Sequence, residues 1–219
     1  MARGLFVTGT DTGVGKTVVS AALLLRYRPR FVLRYWKPIQ TGIEVDDDTA
    51  DVRRLAACAP QDVRDDGVRL RQAVSPHLAA RLASLRIDLD AIGTLGSERL
   101  ARWVVEGAGG VLVPINEADL MVDLMTRLAL PVVVVARSTL GTINHTLLTL
   151  EAVKSRGLRV AGVVMVGTPD GENRQAIESY GRTRVLGELP HLSPLTPATL
   201  EAWARTSLDP HGHLMGWFE

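Results

Sequence analysis

Cysteine is almost missing from this 219-residue chain, with Cys58 standing alone. A single thiol excludes an intrachain disulfide and a cysteine-rich zinc site. An excess of one charge is missing too. The 25 Lys and Arg nearly cancel the 24 Asp and Glu, leaving +1, so nothing electrostatic calls for nucleic acid or an anionic membrane as partner. Long hydrophobic runs are also lacking. The longest near-apolar stretch, Leu128 to Ala136, contains Pro131 and falls far short of the ~20 residues of a membrane span. The opening MARGLFVTGT has only Leu5-Phe6-Val7 as an apolar run, too little for a signal peptide. No repeat or low-complexity tract is present. The pair His211 and His213 has no third ligand near it in sequence, which makes a metal site there a poor reading. A cytoplasmic globular protein is expected.

What is present suits a large core: 46% hydrophobic and 22% charged residues. Short apolar runs at Leu5–Thr8, Phe31–Trp36, Trp103–Val105, Pro131–Ala136, Arg159–Val166 and Arg184–Gly187 read as strands. Pro131-Val132-Val133-Val134-Val135 has no polar alternation, as befits a strand buried on both faces of a parallel sheet. Helical patterning covers 16–28, 49–58, 76–86, 90–105, 119–129, 142–156, 171–182 and 197–206. The acidic stretch Asp46-Asp47-Asp48 and the charged stretch Asp62 to Arg71 read as loops. Alternating β and α elements predict one α/β domain over 1–219, a mostly parallel doubly wound sheet with helices on both faces. Residues 207–219 read as a loose terminus.

Directly behind the first strand stands GTDTGVGKT, residues 9–17. The phosphate-loop pattern is glycine, four residues, then Gly-Lys-Ser/Thr. Counting back from Gly15, the first glycine belongs at Thr10 but stands at Gly9, one residue early. The Gly-Lys-Thr at a strand–helix junction nevertheless specifies a phosphate-binding loop, and with it a P-loop NTPase-like fold. Ligands of open α/β sheets sit beyond the carboxyl ends of the strands. There the loop's N–H groups and the helix N-terminus can surround phosphate oxygens. Lys16 then supplies charge to the β- and γ-phosphates, and Thr17 a hydroxyl for Mg2+. Thr10, Asp11 and Thr12 protrude differently from those of an ordinary loop and can meet a second substrate.

Two later stretches bring more groups to that edge. In WVVEGAGG, Glu106 follows an apolar strand and precedes a flexible turn at Gly107, Ala108 and Gly109. It offers the carboxylate that a magnesium nucleotide site needs. In YWKPIQTG, Lys37 ends the second strand as a second cation, followed by the hydroxyl of Thr41. Beside a triphosphate, Lys37 can stabilise negative charge developing in phosphoryl transfer.

Together TGTDTGVGKT, KPIQTG, SPHLAA, VEGAGG, PVVVVARSTLGTINHT and GELP, spread from Thr8 to about Pro190, resemble the dethiobiotin synthetase family. The family's loop has this same early glycine. The resemblance implies Mg2+-dependent closure of 7,8-diaminononanoate with CO2 or bicarbonate to dethiobiotin, at the expense of ATP, through a carbamate and its phosphoric anhydride. By the same resemblance Thr17, Glu106 and an aspartate in VDDDTADVRRLAA bind Mg2+. Alignment of the following helix favours Asp48, with Asp51 and Asp47 as alternatives. Thr12, Lys16, Lys37 and Thr41 meet the substrate or the reacting groups, and Gly13, Val14, Gly15, Lys16, Thr17 and Val18 wrap the triphosphate. Gly141, Thr142, Ile143 and Asn144 open a helix whose N–H groups can take the substrate carboxylate. In the family this segment reaches the partner subunit's active site, which implies a homodimer. His145 is read as structural.

One departure stands out. Many family members read adenine with an asparagine after the strand aligned with Arg159–Val166. Here Val166 and Gly167 occupy that place, and neither side chain can make paired amide contacts. Backbone groups or Pro190, His191 and Leu192 are left to frame the base, so CTP and GTP are expected to serve beside ATP. Two other functions share the loop architecture. A related amidase or ligase usually carries a glutaminase domain, for which the chain is too short. A nucleotide-switched regulatory ATPase often carries a second lysine early in the loop, where Thr10-Asp11-Thr12 stands.

Overall fold

The computed structural model describes residues 3–95 and 101–219. Seven strands form one sheet in the order β4-β2-β6-β1-β7-β8-β9, every pair parallel. They are β1 (Arg3–Gly9), β2 (Val32–Trp36), β4 (Val63–Arg64), β6 (Ala101–Gly110), β7 (Val132–Arg137), β8 (Val160–Val166) and β9 (Val185–Leu189). After β1 the chain lays β2 and β4 on one side, returns with β6 between β2 and β1, and then builds outward from β7 on the other. The crevice at the carboxyl end of β1 is therefore the topological switch point, where an open α/β sheet binds its ligand. A small parallel pair, β3 (Ile39–Thr41) and β5 (Val68–Leu70), stands beside the main sheet.

Alternation along the strands feeds two cores. Phe6, Trp36, Trp103, Val105, Val132, Val134, Val163 and Met165 point to one face. Leu5, Val7, Leu33, Tyr35, Val104, Val133, Val135 and Val164 point to the other. Because both faces are covered, a central strand such as β7 is buried from Val132 to Ala136 and its sequence shows no polar alternation. The first face is covered by α3 (Pro76–Leu82), α4 (Met121–Leu128), α5 (Thr142–Ser155) and α6 (Gly171–Gly181). The second carries α1 (Lys16–Tyr27), α2 (Asp48–Leu55), α7 (Pro197–Ser207) and the short α8 (Met215–Phe218).

Four expectations from the sequence need correction. The helix expected over 90–105 does not form where the chain is described. Residues 101–105 begin β6, and 96–100 lie outside the described residues. The glycines after Glu106 are not a flexible turn. They continue β6 to Gly110, and Gly9 pairs with Gly110. A side chain is missing at Gly107 for a packing reason, since a Cβ there would stand 3.0 Å from the Phe6 ring. The charged stretch Asp62 to Arg71 contains β4 and β5 and is not simply a loop. Finally, the C-terminal segment is packed. Leu208, Asp209, Leu214 and Phe218 are fully buried, and the Phe218 ring lies 5.0 Å from Tyr27 and 5.5 Å from Phe31. Asp209 anchors the turn, accepting from the N–H groups of His213 (2.8 Å) and Leu214 (2.7 Å) and from the Tyr27 hydroxyl.

Candidate active site

The phosphate loop leaves β1 at Gly9 and is pinned at once to the neighbouring strand, Thr10 N–H donating to the Val135 carbonyl at 2.9 Å. Gly13 and Gly15 then take φ values of +67° and +97°, the left-handed region that disfavours any Cβ. Gly15 is also crowded, because a Cβ would lie 3.2 Å from Val166 Cγ1. Val14 is tucked into the core. Lys16 opens α1, is 7% exposed, and donates from Nζ to the Asp11 carbonyl at 2.9 Å. Burial, with the Lys37 ammonium nearby, lowers its pKa to about 8.

Beside the loop lies a buried charge cluster. Lys37 is 3% exposed, and its Nζ sits 2.6 Å from Asp48 Oδ2, 2.8 Å from Glu106 Oε1 and 3.3 Å from the Gly107 carbonyl. Thr17 Oγ1 lies 2.5 Å from Asp48 Oδ1 and 3.1 Å from Glu106 Oε1. Tyr35 donates to the remaining oxygen, Glu106 Oε2, at 3.0 Å. Glu106 is wholly buried, a costly place for a carboxylate unless paired and hydrogen-bonded. Here every contact supplies that need. Burial opposes the charge on Lys37, but Glu106 and Asp48 outweigh it and raise its pKa. Burial likewise opposes ionisation of Asp48, but the charge and hydrogen bond of Lys37, with the Thr17 hydroxyl and the Lys16 charge, outweigh it and lower the pKa.

Of the three candidate aspartates only Asp48 touches Thr17 and Lys37. Asp47 is spent as the N-cap of α2, accepting from Thr49 N–H and Ala50 N–H and from the Gln40 amide. Asp51 pairs with Arg54 on the outside of α2, although it reaches the cavity wall. That cavity, about 680 Å³, opens beside the loop and the cluster. Thr12, Gly13, Gly15, Lys16, Thr17, Val18, Lys37, Thr41, Asp48, Glu106, Ala108 and Gly109 all line it. Sequence reasoning assigned no role to several other wall residues, among them Gly42, Ala73, Ser75, Pro76 and Leu195. SPHLAA did hold Ser75 and Pro76, but only as a marker. Tyr35 was also missed, for it reads as an ordinary core aromatic until its hydroxyl is seen on Glu106.

Other expected residues stand elsewhere. Val14 and Gly107 lie behind the wall, the first in the core and the second offering its carbonyl to Lys37. Gly141, Thr142, Ile143 and Asn144 begin α5 at the end of β7 and do not line the cavity; the Thr142 hydroxyl is taken by the Arg137 carbonyl. Val166 packs on Gly15, and a Cβ at Gly167 would stand 2.3 Å from Ser138 Oγ. Neither residue, nor Pro190, His191 or Leu192, lines that cavity.

Two carboxylates and a hydroxyl converging beside a phosphate loop suit Mg2+, which takes hard oxygens and completes its shell with water and phosphate. Among the described residues, no group of three or more His, Cys, Asp or Glu comes together to hold a metal by protein ligands alone. The donor set fits a metal that draws its remaining ligands from water and phosphate.

A parallel sheet that delivers a Gly-Lys-Thr loop, a buried lysine and two carboxylates to its switch point defines a phosphate-loop nucleotide-binding protein. A MinC:MinD cell division complex from Aquifex aeolicus shares this fold, with a TM-score of 0.58 at 16% identity over 98% of this chain and 96% of that one. The AAA domain family matches residues 3–199. At 52% identity over 198 residues, 90% of this chain aligns with 93% of the ATP-dependent dethiobiotin synthetase BioD of Paramagnetospirillum magneticum. The protein of the same name from Nitrobacter hamburgensis is 46% identical, over 93% of this chain and 94% of its own. The chain belongs to the ATP-dependent dethiobiotin synthetase family.

Proposed function

We propose that the chain closes the cyclic urea of dethiobiotin on 7,8-diaminononanoate. One amine of the diamine adds to CO2 and loses a proton, giving a carbamate. A carbamate oxygen attacks the γ-phosphorus, expelling the nucleoside diphosphate. The second amine then attacks the carbamoyl carbon and loses a proton, phosphate leaves, and the ring is closed. The observation that carries this reading is the meeting of two buried lysines and two carboxylates at the wall of one cleft.

Lys16, with the N–H groups of Gly13 to Val18, binds the phosphates, and Lys37 offsets the repulsion between carbamate and γ-phosphate. Thr12 and Thr41, on the cavity wall, orient the diamine so that the encounter becomes nearly unimolecular. Mg2+, held by Thr17, Asp48 and Glu106, would supply charge neutralisation to the phosphate oxygens. Gly141 to Asn144, which open α5, serve the substrate carboxylate in the partner's site of a homodimer. The enzyme works in the cytoplasm as one domain and needs neither nucleic acid nor membrane. With Val166 and Gly167 in place of an amide side chain, it accepts CTP and GTP beside ATP. Val166, Gly167 and Pro190 to Leu192 then frame the base through apolar and backbone contacts.

The test incubates the protein with the diamine, bicarbonate, Mg2+ and ATP, CTP or GTP in parallel, with dethiobiotin detected by mass. Product that depends on diamine, bicarbonate and nucleotide supports the reaction. No product from folded protein with any nucleotide refutes it. A preference for ATP of about a hundredfold or more in kcat/KM refutes the relaxed base selection.

A further inference from the structure

The early glycine makes this phosphate loop one residue longer than the usual spacing, and the extra length puts an acidic residue, Asp11, at its tip. A carboxylate beside a polyanion's binding site opposes binding unless its charge is met. It is met by the neighbouring strand. β1 ends where Gly9 pairs with Val135, and the loop that follows brings Asp11 beside Arg137, the last residue of β7. Arg137 Nη2 lies 3.4 Å from Asp11 Oδ2 and donates to the Thr12 carbonyl at 3.0 Å. Asp11 in turn organises the tip from within. Its Oδ1 accepts Thr12 N–H at 2.7 Å, and its carbonyl accepts Lys16 Nζ at 2.9 Å.

We infer that Arg137 is a positioning residue for nucleotide binding, which fixes the tip of the lengthened phosphate loop and cancels the Asp11 charge that would otherwise repel the triphosphate. This rests on the nucleotide-dependent reading of the site. The pair contributes little to the stability of the fold, because the side chains of Arg137 and Asp11 are 51% and 57% exposed and such pairs are screened by solvent. Its work is directed at the ligand. One cation meets both the carboxylate and a carbonyl of consecutive tip residues, so its removal frees the loop and uncovers the charge together.

The test measures the Kd of MgATP by calorimetry for the full chain and for Arg137→Ala, Arg137→Lys, Asp11→Asn and the double variant Asp11→Asn/Arg137→Ala. Arg137→Ala binds about tenfold more weakly, with an unchanged Tm. Arg137→Lys keeps the charge and loses less. Asp11→Asn keeps the acceptor for Thr12 N–H and binds at least as well as the parent. The double variant recovers most of the loss. The Arg137→Ala defect also narrows as ionic strength rises from about 0.02 to 0.3 M, as a loss of charge balance requires and a loss of packing does not. Unchanged affinity in Arg137→Ala overturns the inference, and so does a double variant as weak as Arg137→Ala. Because binding is read directly, failure of ring closure alone leaves this result intact. A parent chain that does not bind MgATP removes the reading of the site and the inference with it.

Discussion

Lys37→Met separates the charge cluster's role in folding from its role in catalysis. The substitution keeps the length of the side chain and deletes the ammonium lying 2.6 Å from Asp48 and 2.8 Å from Glu106. Two carboxylates are then left against each other, one wholly buried and the other with its side chain 23% exposed. Removing one partner of a buried ion pair costs roughly 3–5 kcal/mol. The lower end applies here, because Asp48 keeps contact with water. For a chain of this size ~3 kcal/mol corresponds to a fall of about 6–12 °C in Tm. The assay is denaturant and thermal unfolding without divalent metal between pH 8 and 5.

The sign with pH follows from the cluster. In the parent chain Asp48 is held below its ordinary value of 3.8 by Lys37 against burial, so its contribution is present above that value and lost only below it. Lys37 itself is raised, so its contribution is complete below 10.5. Neither changes the parent's stability between pH 8 and 5. In the variant, burial and mutual repulsion raise a carboxylate pKa above its unfolded value. The folded state then takes up a proton that the unfolded chain does not, and the variant gains stability as the pH falls. The gap between the two proteins therefore closes on acidification. A gap below about 1 kcal/mol at pH 8, or one that stays constant or widens toward pH 5, refutes the account.

In turnover assays at a temperature where both variants remain folded, Lys37→Ala lowers kcat by about a hundredfold or more and leaves nucleotide Kd within about threefold; Lys16→Ala damages both. Parent-like kcat in Lys37→Ala removes its catalytic role. Lys16 titrates near 8 in the free chain, and phosphate binding favours its charged form. Nucleotide affinity thus falls as pH rises from about 8 to 10, with proton uptake on binding measurable by calorimetry in buffers of different ionisation enthalpy. Affinity that is flat over this range sinks the assignment. Phe218→Ala removes a wholly buried ring packed on Tyr27 and Phe31 and costs about 3–5 kcal/mol in unfolding experiments. Its kcat/KM in folded protein stays at the parent value, and a catalytic defect without lost stability contradicts the packing described.

What could be read without coordinates was whatever the chain encodes locally. Gly15-Lys16-Thr17 after an apolar run is such a case, because strand, loop and helix N-terminus are contiguous and the chemistry lies within one turn. The unalternating valines of β7 are another, since burial on both faces erases the period-2 pattern over adjacent residues. The acidic triplet lies at the limit of this kind of reading. A helix starting at 49 would have made Asp48 the cap; it starts at 48, so Asp47 is spent on the N–H groups of Thr49 and Ala50 while Asp48 is left to meet Thr17 and Lys37. A shift of one residue exchanges a structural carboxylate for one in the site. Beyond that limit lie facts that only tertiary pairing creates. Glycines 107, 109 and 110 look like a turn in sequence, yet β6 carries them past Phe6 to pair with the phosphate loop. Tyr35 and Glu106 are 71 residues apart, and β3 and β5 are three-residue strands with too little pattern to announce themselves. Arg137 belongs with these, because its partner at the loop tip becomes visible only once β1 and β7 are laid side by side.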